Sequence, residues 1–331
     1  MRRIVAILAA LTLCGGVSGQ QKYGIVKYSA NFMRSEPDYE SGLETQALMG
    51  TPVLICGSSR YWLDIRTPDY RAWTNAMGVV QMDSLEMRNY IAAPKYICTA
   101  LWSEVFTAPH KGSQRMSDLV AGDLLRMKVN ADGKPAGNRA FSAVLLPDGR
   151  EGYVRTSDAA CFRVWAESRK AVAENVIASA MRFLGTPYLW GGCSSKGLDC
   201  SGLVKTAFFL NGVVLRRNAS QQAEEGVEVS PDGFVPGKDE GCLKPGDLLF
   251  FGKKATPDSR GRITHVAIYL GNGRIIHSSQ EVRINSLDPG AEDYYSGAVN
   301  LVRIRRICDE DGNTYTSARV MSSPEYFPQK N

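Results

Sequence analysis

The stretch that most constrains this chain is residues 183–202, FLGTPYLWGGCSSKGLDCSG. Turn-forming and aromatic residues run into Leu198-Asp199-Cys200-Ser201-Gly202. A helical pattern follows at once, Leu203-Val204-Lys205-Thr206-Ala207-Phe208-Phe209-Leu210. A cysteine that opens a helix has a chemical use, because the free N–H groups and dipole at that end favour the thiolate. The thiolate is the nucleophilic form. Cys200 is therefore the candidate nucleophile, and the rest of the chain is expected to position it, shield it or restrict access to it.

A cysteine nucleophile needs a base within hydrogen-bond reach, and the base needs a third group to fix its tautomer. The chain has 3 histidines, His110, His265 and His277. Two of them flank Asn272-Gly273, a hairpin turn signal, so antiparallel pairing brings them together. His265, at the start of its strand, is the candidate base and His277 the candidate orienter. Each could instead be a satisfied structural histidine; the scarcity of His, the hairpin and the Asp-Cys-Ser helix start together favour a site. His110 follows Pro109 in a polar turn and reads as surface. The Cys and His spacing is too wide for a zinc finger or ribbon, and neither metal nor other cofactor is expected.

Length and composition set the frame. A chain of 331 residues suits two or three domains. A net charge of +5, with no basic run interleaved with aromatics, gives nucleic-acid binding no support. The N-terminus, MRRIVAILAALTLCGGVSGQ, joins a basic start to an apolar stretch too short to span a bilayer and then to small residues. It reads as a secretory signal peptide over 1–19, which implies a periplasmic protein. Cys14 sits where a lipoprotein signal places its acylated cysteine, although Leu13 before it is larger than such signals favour; membrane attachment is expected only if Cys14 is lipidated. The other cysteines, at 56, 98, 161, 193, 200, 242 and 308, are too scattered for a disulfide scaffold. Most read as buried small hydrophobes, and a redox pairing of Cys193 with Cys200 stays open.

Residues 22–88 read as short strands punctuated by Gly and Pro, the pattern of a small barrel. MRSEP after the first strand, the strand TQALMGTPV, the central Trp62 and the ending TPDYRAW resemble a bacterial SH3-like domain. Residues 95–162 repeat the habit more loosely, with a hairpin at Asp148-Gly149, and read as a divergent second SH3-like barrel. Residues 90–98 read as a linker or first strand. Residues 164–183 carry apolar positions at helical spacing and predict one helix ending at Gly185. Helix before antiparallel strands makes the last domain, 165–308, an α+β unit. Residues 309–331 are polar and read as a tail.

Five motifs in order carry a resemblance across nearly all of 165–308: GTPYLWGG (185–192), LDCSGLV (198–204), RRNASQQ (216–222), LKPGDLLFF (243–251) and ITHVAIYLGNGRIIHSS (263–279). They resemble an NlpC-type cell-wall peptidase, a papain-like cysteine peptidase. The resemblance implies hydrolysis of the γ-D-glutamyl–diamino-acid bond of peptidoglycan stem peptides. Cys200 would be the nucleophile, His265 the base and His277 the orienter. Tyr188 would join the Cys200 N–H in stabilising the oxyanion.

The order SH3-like, SH3-like, NlpC-type resembles γ-D-glutamyl-L-diamino-acid endopeptidases that trim free muropeptides. There the first barrel walls off the site and admits only a free N-terminal L-alanine. The matching candidates are Glu36 and Tyr70 from the barrel, with Trp190, Asp199, Ser201 and Ser220 from the catalytic domain; Glu44 is an equal alternative to Glu36. Asp199 has a second reading as an acid stabilising the helix start, Ser220 as a helix N-cap, and Trp190 as core. The insertions 227–241 and 253–262 leave the choice between diaminopimelate and lysine open. Two other functions compete: an endopeptidase of intact wall with the barrels as binding modules, and a non-catalytic wall-binding protein. A monomer is expected.

Overall fold

The structure, a computed structural model, describes residues 22–230, 234–237, 243–254, 256 and 260–328. The expected signal peptide, Cys14 and Cys242 lie outside the described residues, as do parts of both insertions. In the first domain the alternating segments become β1 (Lys22–Val26), β2 (Ala30–Arg34), β3 (Leu43–Leu48), β4 (Pro52–Ser59), β5 (Trp62–Arg66), β6 (Arg71–Asn75) and β7 (Val79–Met82). They form one antiparallel sheet in the order β3-β2-β6-β5-β4-β1-β7. Every strand gives a residue to one core, including Val26, Met33, Ala47, Val53, Ile65, Ala72 and Val79. A sheet can do this only by curling round its own inner face.

The second domain contains β8 (Lys95–Cys98), β9 (Trp102–Phe106), β10 (Arg115–Val120), β11 (Leu124–Met127), β12 (Phe141–Leu145), β13 (Glu151–Arg155) and β14 (Ala159–Cys161). Its order, β10-β9-β13-β12-β11-β8-β14, repeats the first domain strand for strand. The two SH3-like units meet turn to turn. Gly50 and Gly122 hold equivalent turns with φ of +79° and +100°, a region that favours glycine. A Cβ on Gly50 would stand 2.2 Å from the Leu124 carbonyl oxygen. Met49 packs into the second domain's core, and its N–H donates to the buried Asp123 carboxylate at 2.9 Å.

Between the barrels lies α1 (Ser84–Ala92), which takes up the start of the stretch 90–98 expected as a linker or first strand, while β8 (Lys95–Cys98) is the strand at its end. Asp83 accepts from the N–H groups of Leu85 and Glu86 while Glu86 accepts from the Asp83 N–H, a reciprocal cap. The expected boundary at 88 therefore falls inside a helix.

The single helix expected over 164–183 is two helices, α2 (Phe162–Ser168) and α3 (Ala173–Met181). The chain turns because they serve different neighbours. Phe162, Trp165 and Ala166 of α2 pack with Ile97 and Leu124 of the second barrel. Val176 and Ala180 of α3 join the catalytic core.

After these come β15 (Cys193–Ser194), β16 (Gly197–Leu198), α4 (Cys200–Phe209), β17 (Val213–Val214), α5 (Ala219–Gln222) and β18 (Val227–Val229). The sheet is completed by β19 (Leu248–Lys253), β20 (Arg262–Gly271), β21 (Arg274–Ser279), β22 (Glu281–Ser286) and β23 (Leu301–Arg306), and β24 (Ala318–Arg319) closes the series. The antiparallel order is β18-β23-β19-β20-β21-β22. Leu203, Val204, Ala207 and Phe208 of α4 share a core with Val266, Ile268 and Ile276. The alternate residues Ala267, Tyr269 and Ile275 face a second core. Three domains converge at one point, where Lys196 reaches both Ser29 at 2.7 Å and Asp118 at 2.6 Å.

Residues 309–328 do not hang free as the expected tail. β24 pairs with β17, and Val320, Tyr326 and Phe327 are buried against α2 and the second barrel. Phe327 stacks on Phe162 at 4.9 Å. The few apolar anchors are diluted in a polar composition, which concealed the packing. Phe327→Ala should destabilise the protein by about 3–5 kcal/mol, read as a lower denaturant midpoint; an unchanged midpoint would show that this segment does not tie the domains together.

Candidate active site

The Asn272-Gly273 turn has φ of 51° and 67°, the conformation that matches a two-residue hairpin to the twist of its strands. It pairs β20 with β21, Ile268 opposite Ile276. His265 Nε2 then lies 2.8 Å from His277 Nδ1. His277 Nε2 lies 2.9 Å from Asn285 Oδ1, and the Asn285 amide nitrogen donates to the Asp293 carbonyl at 2.6 Å.

These contacts assign the protons. Asn285 must turn its nitrogen to Asp293, so its oxygen faces His277. That oxygen only accepts, so His277 carries hydrogen on Nε2 and a lone pair on Nδ1. The lone pair accepts from His265 Nε2–H, which leaves His265 Nδ1 as the free base. Burial, helped by His277, pushes His265 down to about 3. Burial also lowers His277; its bond to Asn285 opposes the shift and the Arg283 cation adds to it. Both rings are neutral at neutral pH.

Cys200 is the first residue of α4, and backbone N–H groups of Val266 and Ser201 support its sulfur. Val266 directly follows His265, so the sulfur meets the backbone of the strand that carries the base. The expectation of a depressed thiol pKa is corrected: burial, and then the Asp199 carboxylate at the same helix end, push it up to about 11. The resting group is a thiol, and it needs the base to become a nucleophile. Tyr188 is held by its N–H to the Gln280 carbonyl at 2.8 Å. Its half-buried hydroxyl is pushed up to about 12 by burial, Cys200 and Asp199, so it remains a donor beside the sulfur.

Asp199 caps α4, accepting from the Gly202 N–H at 2.7 Å. It also accepts from the Gly191 N–H at 2.9 Å and from Ser201 Oγ at 3.2 Å. Arg217, 1% exposed, grips both carboxylate oxygens at 3.1 and 2.5 Å. The same guanidinium donates to Ser201 Oγ at 2.9 Å and to Thr45 Oγ1 of β3 at 2.9 Å. The edge strand β3 thus docks on the segment leading to Cys200. Gln46 Oε1 accepts from Cys193 N–H at 2.9 Å and from Ser194 Oγ at 2.8 Å.

Comparison with known proteins decides the family. Residues 185–302 match the NlpC/P60 family. A protein of Lysinibacillus sphaericus, dipeptidyl-peptidase 6, is 31% identical over 277 residues, which is 80% of this chain and 91% of that one. The chain belongs to the NlpC/P60 family. A gamma-D-glutamyl-L-lysine dipeptidyl-peptidase of Bacillus cereus is 35% identical over 77% of this chain and 74% of its own. A solved NlpC/P60 protein of Bacillus cereus shares the fold, with a TM-score of 0.69 at 22% identity over 86% of this chain and 99% of that one. This NlpC/P60 protein is a cysteine peptidase.

The remaining candidates of the peptidase divide. Cys200, His265, His277 and Tyr188 come together. Asp199 and Ser201 are engaged by Arg217 and the helix cap, and five bonds exceed the roughly four acceptor positions of a carboxylate, so Asp199 follows its helix reading. Of the two barrel carboxylates, Glu36 sits on an exposed loop, whereas Tyr70 donates to Glu44 Oε2 at 2.7 Å and lies near Asn218 at 3.5 Å. Ser220 is exposed and is not the cap of α5; Asn218 is. Trp190 is 69% exposed, not core. Cys193 and Cys200 are both free thiols, and Cys56 is exposed. Among the described residues no cluster fits a metal ion.

Three residues escaped the sequence reading. Arg217 lay inside the motif RRNASQQ without a role, and Asn285 was a polar residue at an inward position of β22. Tyr295, in the loop after β22, gave no signal at all. Iodoacetamide alkylation of Cys200 should accelerate with pH up to about 11; a plateau already reached in mild acid would show a preformed thiolate–imidazolium pair. Asn285→Ala should lower kcat about tenfold, the equivalent of one lost hydrogen bond of about 1.5 kcal/mol, and an unchanged kcat would remove Asn285 from the relay.

Proposed function

We propose that this peptidase hydrolyses the γ-D-glutamyl–diamino-acid bond of peptidoglycan stem peptides and prefers free muropeptides with an unblocked N-terminal L-alanine. In the reaction, the Cys200 proton passes to His265 Nδ1 and the sulfur attacks the γ-carbonyl carbon. The Cys200 N–H and the Tyr188 hydroxyl donate to the developing oxyanion. Collapse returns the His265 proton to the departing amine of the diamino acid and leaves a thioester. Water, deprotonated by His265, then releases the acyl dipeptide and restores the thiol.

The observation that carries the preference is the Glu44–Tyr70 pair on the barrel face docked beside the site. Glu44 directly precedes Thr45, which accepts from Arg217. Tyr70 occupies one of about four acceptor positions of the Glu44 carboxylate, so the others suit an ammonium group. Asp199, saturated by its own contacts, leaves that task to Glu44. The names of the relatives from Lysinibacillus sphaericus and Bacillus cereus, both dipeptidyl-peptidases, support release of an N-terminal dipeptide. We further propose that the protein is exported by its N-terminal leader and works in the periplasm as a monomer.

The test compares L-Ala-γ-D-Glu-diamino-acid tripeptide with its N-acetylated form. Blocking the amine should lower kcat/KM by about 10–100-fold, the range for a hydrogen bond to a charged group, and Glu44→Gln should narrow the gap. Equal cleavage of the two peptides would overturn the N-terminal filter, and release of fragments from whole sacculi at a matching rate would favour an intact-wall enzyme.

A further inference from the structure

Nothing in the reaction above uses Tyr295, yet its ring touches both histidines. The ring centroid is 4.8 Å from that of His277, edge-on at 77°, and 5.6 Å from that of His265. It is 5.1 Å from Phe251, also edge-on. Phe251 is the cross-strand neighbour of His265. His265 therefore lies against two aromatic rings that also touch each other, Phe251 at 6.1 Å and Tyr295 at 5.6 Å. The His265 and His277 rings are themselves near-perpendicular, at 5.0 Å and 80°.

The proton assignment above depends on ring orientation. Turning either imidazole over puts a ring carbon where each nitrogen stood, Cδ2 for Nδ1 and Cε1 for Nε2, and breaks the single bond that joins the pair. His265 is held by its one bond to His277, and His277 by that bond and the one to Asn285; aromatic ring contacts add to that restraint. A third ring against both is a physical means of fixing them.

Tyr295 is itself fixed. Its N–H donates to the Ser286 carbonyl at 2.8 Å, and its carbonyl accepts from the Ala298 N–H at 2.9 Å. Gly297 backs the ring: a Cβ there would lie 2.4 Å from Cζ and 2.5 Å from Oη of Tyr295. Gly297 is not among the glycines with left-handed φ, so the constraint at this glycine is space. Burial and then Cys200 push the Tyr295 phenol up to about 12, which keeps it un-ionised near the sulfur.

We propose that Tyr295 is the positioning residue of the catalytic pair, its ring locking the two imidazoles so that His265 keeps Nδ1 for the Cys200 thiol. The ring also keeps water from the pair, and burial is the main reason His265 is held near 3. The charged or titratable groups facing the pair are Cys200 from α4, Arg283 opposite His277 on β22, and Tyr295. Loss of the ring admits water, lets His265 rise towards an ordinary imidazole, and so moves the acid limb of activity to higher pH.

The experiment compares Tyr295→Ala, Tyr295→Phe and Gly297→Ala in the full chain, with kcat, KM and the pH dependence of both turnover and Cys200 alkylation. Alkylation needs no peptide, so its outcome is independent of the substrate proposed above. Tyr295→Ala should lose about tenfold or more in kcat with KM within about twofold, and its acid limb should move up. Tyr295→Phe, which keeps the ring, should restore kcat and the limb. Gly297→Ala, which displaces the ring without removing it, should resemble Tyr295→Ala. If Tyr295→Ala does not fold, Tyr295→Phe against Gly297→Ala carries the comparison. A wild-type kcat and acid limb in Tyr295→Ala or Gly297→Ala would overturn the proposal. So would a Tyr295→Phe as impaired as Tyr295→Ala, since the hydroxyl would then be the active part.

Discussion

The buried pair of Arg217 and Asp199 is the interaction on which the rest of this molecule depends. One guanidinium holds the carboxylate that caps the nucleophile's helix and, through Thr45, the edge strand of the first barrel. Removing one member of such a pair strands the other charge away from water, at a cost of about 3–5 kcal/mol. The five bonds to Asp199 explain why the pair is tolerated, since each lost hydration contact is replaced. The geometry of α4 and the docking of β3 are thus one feature rather than two.

A division of labour follows within the catalytic domain. Burial, and after it Asp199, raises the thiol pKa, which is unfavourable for attack, while the Asp199 cap is necessary for the architecture. The relay of His265, His277 and Asn285 compensates by presenting a neutral base with a fixed lone pair. Nucleophile and base are matched as a pair, and neither is preset alone. Through Thr45 and Gln46 the first barrel docks on the segment that leads to Cys200, so it is tied to the catalytic domain rather than appended to it.

The legible part of this structure was local. The helix start at Cys200 and the hairpin at Asn272-Gly273 are written in periodicity and turn chemistry, and two histidines on one hairpin can meet in few ways. Both barrels were visible as spaced strands, although their identical strand order was not, because order is a property of pairing between distant segments. Arg217, Asn285 and Tyr295 act through neighbours 18, 8 and 18 residues away or more, and a single sequence carries no record of such contacts. Glu36 and Glu44 could not be separated because a sequence does not show whether the β2–β3 loop or β3 itself faces the catalytic domain. The C-terminal segment misled by averaging: a few buried anchors among many polar residues look like a solvated tail.

The thiol pushed up to about 11 has a consequence for chemical durability. Peroxides and disulfides react with thiolates, and susceptibility follows thiolate character and exposure. A sulfur that is 9% exposed and protonated at rest offers an oxidant less than an exposed thiolate would. Among the described cysteines the exposed one is Cys56, on the first barrel, whose sulfur contacts the Leu54 carbonyl and not the relay. The nucleophile is thus kept in reserve until a bound peptide and His265 together release its proton.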